Sequence, residues 1–111
     1  MDRLSSAYSA LADPTRRAIL ADLTGGPKSF TELAAPYEMS KPAVVKHLRV
    51  LENAGLVARD GAKARPRYRV DPKGFDDPRR WIEEQARFWA EALDRLDAYA
   101  NEIATQKGGS S

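Results

Sequence analysis

Residues 39–57 read MSKPAVVKHLRVLENAGLV, and this stretch has few ways to fold. Ser40 is a good N-cap residue with Pro42 in the first turn, and Gly55 is a natural C′ residue. Between them Val44, Leu48 and Leu51 recur at i, i+4 and i+7. The spacing predicts a helix whose two ends are both specified and whose apolar stripe faces inward. Lys41, Pro42, Val45, Lys46 and Arg49 then face outward, together with Ser40 at the start.

The segments around it define the context. Leu4, Ala7, Tyr8 and Leu11 predict a first amphipathic helix. Asp13-Pro14 caps a second helix over 14–23 with Ala18, Ile19 and Leu23 inward, and Gly25-Gly26-Pro27 stops it. Ser29-Phe30-Thr31-Glu32 has the form of a capping box and opens a short third helix limited by Pro36. Two short helices joined by a tight turn, the second being the stretch above, make a helix-turn-helix. Leu56–Arg59 and Tyr68–Val70 read as two strands joined by a basic, glycine-bearing loop, and a last helix is expected from about 77 or 78 to about 103. The fold class is therefore α+β, mostly α: a winged helix-turn-helix with a two-stranded hairpin wing and a long C-terminal helix. Residues 1–106 form one domain, and 107–111 are expected to be a flexible tail.

The charge distribution indicates a partner. Residues 41–73 hold nine Lys/Arg against three acids, a net of +6, whereas 1–40 carry four against five and 74–111 five against eight. Such concentration favours a polyanion over a solvated face, which normally mixes both signs. The helix suits the major groove of double-stranded DNA, where Lys41 or Lys46 could donate to guanine and Val45 could meet a thymine methyl. Arg49 lies further along and suits phosphate. Arg59, Lys63, Arg65, Arg67 and Arg69 supply the charge of the wing, which reaches the backbone or minor groove. In a strand, 63, 65, 67 and 69 would share one side unless the loop breaks the register. His47 is the only histidine; it joins the DNA-binding set of this helix as a further candidate for sequence reading beside Lys41, Val45 and Lys46, as a hydrogen-bonding or phosphate-contacting group, or as a packed residue, rather than as a ligand.

Several function classes are disfavoured. No cysteine is present, so thiolate metal sites, catalytic thiols and disulfides are excluded. One histidine makes a weak zinc site, so no metal or cofactor is expected. No nucleophile–base pair or phosphate-binding glycine loop suggests an enzyme. No apolar run could span a bilayer or serve as a signal peptide, and the expected location is cytoplasmic with no membrane partner.

The last helix carries an apolar stripe, including Phe88, Trp89, Ala92, Leu93, Leu96, Tyr99 and Ile103, wider than one small core needs. It suits a second copy across a two-fold axis. The competing arrangements are a first helix folded over the whole stripe within one monomer, or a pocket for a small apolar effector of unidentified nature.

ALADPTRRAIL (10–20), GPKSFTELA (26–34), MSKPAVVKHLRVLENAGLV (39–57) and RYRVDP (67–72) together resemble the ArsR family of bacterial winged-helix repressors. The resemblance implies a homodimer joined through its first helix (Leu4, Tyr8, Leu11) and its last, binding a palindromic operator and repressing transcription. Two departures argue against metal sensing: Ser29-Phe30-Thr31 stands where one branch has Cys-x-Cys, and the last helix contains no histidine. Val45 stands where a small polar residue is common in the family, so no operator sequence carries over. The alternative is a winged-helix module that dimerises and binds protein without specific DNA binding.

Overall fold

The computed structural model describes residues 2–109. The chain divides into two compact units, one reaching Pro78 and the other beginning at Arg79.

The first unit contains all but the last helix. Helices α1 (Arg3–Leu11) and α2 (Pro14–Leu23) are capped by the carboxylates of Asp2 and Asp13, which accept from the backbone N–H of Ser5 and Arg16. Strand β1 (Lys28–Ser29) leads into α3 (Phe30–Ala34), where Ser29 and Glu32 complete both halves of the expected capping box. Helix α4 (Lys41–Asn53) is capped by Ser40, whose hydroxyl accepts from Ala43 N–H. It ends at Gly55, whose φ of 78° is the left-handed conformation that a side chain would oppose. Strands β2 (Val57–Asp60) and β3 (Arg67–Val70) form the wing, and a 3₁₀ turn (Pro72–Phe75) follows.

Val44, Leu48 and Leu51 are buried at the centre of the core with Ile19, Leu33 and Leu56, as their helical spacing requires. Each such side chain contributes about 1.5–3 kcal/mol relative to leaving it in water. Helix α2 differs from expectation in one position. Ile19 and Leu23 are buried, but the third inward residue is Leu20, and Ala18 is exposed. The larger apolar side chain takes the core-facing place because it removes more area from water.

The sheet has three strands, not the two of the wing alone. The order is β1-β3-β2, all antiparallel, with Lys28 opposite Tyr68 and Ser29 opposite Arg67. Ser29 thus serves as a strand residue and a helix cap at once. In the wing, Arg59 faces Tyr68 and Asp60 faces Arg67. Tyr68 turns into the core, so Arg67 and Arg69 share the other side of β3. Lys63 and Arg65 precede the strand and belong to the loop, which breaks the four-residue register.

The second unit is formed by α5 (Asp76–Gly109) from Arg79 on. The helix runs beyond Ile103, where sequence signals would end it, through most of the expected tail; residues 110–111 lie outside the described residues. Phe88 and Trp89 meet edge to face, with ring centroids 5.3 Å apart. No described helix is long and apolar enough to cross a membrane.

Candidate nucleic-acid interface

Burying one side of α4 determines what the opposite side presents. Lys41, Pro42, Val45, Lys46 and Arg49 are all exposed, together with the capping residue Ser40. Val45 keeps 38% of its surface in solvent, on the side of the helix opposite Val44, Leu48 and Leu51. It borders a concave surface whose apolar part comes from Phe30, Pro42, Val50 and Tyr68, with Lys41, Lys46 and Arg49 at its margin. Phe30 and Tyr68 did not stand out in the sequence as neighbours of this face, because they come from α3 and β3. The result is an apolar floor with a cationic rim, a surface able to meet thymine methyl groups and phosphates at once.

The wing arginines divide into two groups. Arg59 Nε donates to Glu52 Oε2 at 2.9 Å, and Arg69 Nε donates to Asp60 Oδ2 at 2.5 Å. Arg67 Nη2 donates to the carbonyl of Pro27 at 2.8 Å, tying β3 to the turn before β1. Lys63 and Arg65 are exposed in the loop between the strands. The five basic residues are therefore unequal: three are engaged within the protein, and two project from the wing tip.

His47 stands apart from the outward set. It is half-buried, with Nδ1 3.4 Å from Arg16 Nη1 and 3.9 Å from Asp13 Oδ2. Both partners come from the start of α2. Asp13 holds its carboxyl below the ordinary range chiefly because the Arg16 backbone N–H donates to it; partial burial opposes this, and the His47 ring when protonated and the Arg16 guanidinium assist. Nothing in the spacing of DPTRR pointed to this pairing, which joins residues 31 apart in sequence.

The residues expected at a dimer interface fall into two groups as well. On α1, Leu4, Tyr8 and Leu11 are half-buried; Leu11 packs on the core, and the Tyr8 hydroxyl donates to the Pro78 carbonyl at 2.7 Å. On α5, Phe88, Trp89, Leu93, Leu96 and Tyr99 are 53–61% exposed. Ala92 and Ile103 are half-buried. Among the described residues, no three His, Cys, Asp or Glu side chains are grouped as a metal site would need.

Comparison with known proteins agrees with this geometry. A model of the helix-turn-helix domain family matches residues 11–60, which span α2 through β2. HTH-type transcriptional regulator Rv2034 of Mycobacterium tuberculosis is 45% identical over 87 residues, covering 78% of each chain. The transcriptional repressor SdpR of Bacillus subtilis is 34% identical over 55 residues, which is 50% of this chain and 61% of that protein. The crystal structure of an ArsR family transcriptional regulator aligns at 34% identity with a TM-score of 0.75, over 80% of this chain and 98% of that one. With a capped recognition helix, a basic wing and these relatives, the chain belongs to the ArsR family of winged helix-turn-helix transcriptional regulators.

Proposed function

We propose that the protein is a homodimeric repressor that works in the cytoplasm on a two-fold symmetric operator. One α4 helix enters a major groove in each half-site, and the half-sites lie about 34–36 Å apart, one helical turn of DNA. The observation that carries this reading is the outward face of α4: three cations and Val45 exposed on the side opposite a fully buried apolar stripe. Repression is supported by the stretch shared with SdpR, itself named a repressor. Dimerisation is supported by the exposed aromatic and leucine row of α5, since monomeric proteins rarely leave so large an apolar surface in water.

Contacts within the protein rank the basic residues. Lys41, Lys46 and Val45 are assigned to base edges, Arg49 to phosphate. Lys63 and Arg65, which have no ion-pair partner among the described residues, are assigned to the DNA backbone. Arg59 and Arg69 each have Nε engaged by Glu52 and Asp60, so their remaining donors reach phosphate beside a carboxylate that offsets part of their charge.

Reversing both wing-tip charges, Lys63→Glu with Arg65→Glu, should weaken binding to operator and random DNA alike. The logarithmic salt dependence should fall by about two phosphate contacts per protomer. Lys46→Ala should instead change which sequences are preferred. Both are read by fluorescence anisotropy at several salt concentrations, using fragments selected from genomic DNA. Wild-type affinity for the wing variant would remove the wing from the interface. If no salt-dependent DNA binding occurs at all, the protein-binding module becomes the better reading.

A further inference from the structure

Arg16 has a role that its place in α2 does not require. Its Nε donates to the Ala10 carbonyl and its Nη2 to the Ser9 carbonyl, each at 2.8 Å, so the guanidinium is fixed against the end of α1. This leaves Nη1 aimed at His47 Nδ1, 3.4 Å away on α4. A guanidinium has only donors and does not lose its proton at physiological pH. The ring nitrogen facing it must therefore be an acceptor, which places the proton of the neutral ring on Nε2. The opposite arrangement would need an acceptor for an Nδ1 proton. Asp13 Oδ2 is 3.9 Å away, beyond hydrogen-bonding length, and already accepts from the Arg16 backbone at 3.0 Å.

The other edge of the ring is open. Among the described residues, no buried side-chain nitrogen or oxygen lacks a hydrogen-bond partner, and no protein group bonds His47 Nε2. Nε2 therefore reaches solvent. His47 lies nearly two turns in from Ser40, past the helix start that reaches base edges, where donors meet the sugar–phosphate backbone instead.

We infer that Arg16 is a positioning residue that orients the His47 ring and favours its Nε2–H tautomer, so that α4 presents a fixed Nε2–H donor to a phosphate oxygen. The inference rests on the DNA-binding reading of α4. It assigns His47 to affinity and not to sequence choice, because a phosphate is common to every base pair.

The test has two arms on the full chain. In nitrogen-15 spectra of the imidazole ring near pH 8, where an unperturbed ring is neutral, the wild type should show Nε2–H alone. Arg16→Met, which keeps length but has no donor, should show a mixture of tautomers. An Nδ1–H ring in the wild type, or an unchanged pattern in the variant, overturns the inference. In the binding arm, His47→Leu should weaken operator and random DNA by roughly tenfold, the scale of one hydrogen bond to a charged group. His47→Gln, whose amide nitrogen can replace Nε2–H, should restore affinity to within about twofold. Leucine binding as well as wild type, or glutamine binding as poorly as leucine, also overturns it. The wing-tip double variant is measured alongside. If it binds weakly while His47→Leu is silent, only the role of His47 falls; if the wild type shows no salt-dependent DNA binding, the DNA-binding reading of α4 is wrong and this inference falls with it.

Discussion

Replacing Trp89 and Leu93 together by glutamate should turn a dimer into monomers and lower affinity for a two-half-site operator by roughly 100-fold or more. The two residues lie four apart on α5, on one face, and are 59% and 57% exposed in the single chain. Burying aromatic side chains removes about 150–250 Å² each from water, and across a two-fold axis every such residue counts twice. A carboxylate in their place must be desolvated without a partner, which costs several kcal/mol and exceeds what the remaining contacts supply. Because both residues are exposed, the core around α4 should be untouched, and each monomer should still fold and hold a single half-site weakly. Sedimentation velocity gives the assembly state, and anisotropy on full and half operators gives the affinity. A variant that remains dimeric would place the interface on another surface. A monomer that binds the full operator as tightly as wild type would remove the two-fold symmetry from the proposed binding mode.

The second large effect is on stability. Gly74→Ala should lower the unfolding free energy by about 3 kcal/mol, the upper range for overfilling a packed site. This corresponds to a drop in Tm on the order of 10 °C or more. A Cβ at residue 74 would sit 1.9 Å from the Gly55 carbonyl oxygen, 2.6 Å from its carbon and 3.2 Å from Leu56 Cα. All three atoms are backbone, so no side chain can rotate away. The region cannot shift easily either, since Asp71 N–H donates to the Leu56 carbonyl at 2.9 Å and Leu56 is fully buried. Gly25→Ala is the matched control, because its Cβ would meet only Asp22 O at 3.9 Å, an ordinary contact. Thermal unfolding followed by circular dichroism compares the two. Equal melting temperatures would mean that the seam between Gly55 and Gly74 is looser than its geometry indicates.

How far the sequence could be read depended on whether a signal was local. Helix α4 was legible almost completely: its cap, its inward stripe and its terminating glycine are all encoded within 16 residues, and each follows from short-range geometry. The capping box of α3 and the proline start of α2 were legible for the same reason. Strand β1 was not, because two residues carry no alternation and Ser29 already had a complete explanation as a cap. The extent of α5 was underestimated since apolar periodicity fades after Ile103 while the backbone remains helical.

The candidate site shows the same limit more sharply. The outward face of α4 follows from its inward face, so its residues could be named without a structure. Their partners could not. Whether Arg59 and Arg69 are available to DNA depends on Glu52 and Asp60, and the orientation of His47 depends on Arg16. In the sequence those acids only reduced a net charge, and Arg16 was one residue of a capped helix start. Counting charge along the chain pointed to a candidate interface; pairing in space determined which of its charges already have a protein partner.

Those committed charges bear on how such a regulator searches a genome. Glu52 and Asp60 each lie against one arginine of the wing, so on the proposed DNA face they compete with phosphate for its charge. On random DNA, where affinity comes almost wholly from phosphate contacts, that competition shortens each residence. At an operator, base contacts that do not involve these acids would add affinity on top of the phosphate contribution. On the proposed interface the two acids thus weaken the sequence-independent term, which makes up a larger share of binding at wrong sites than at the right one.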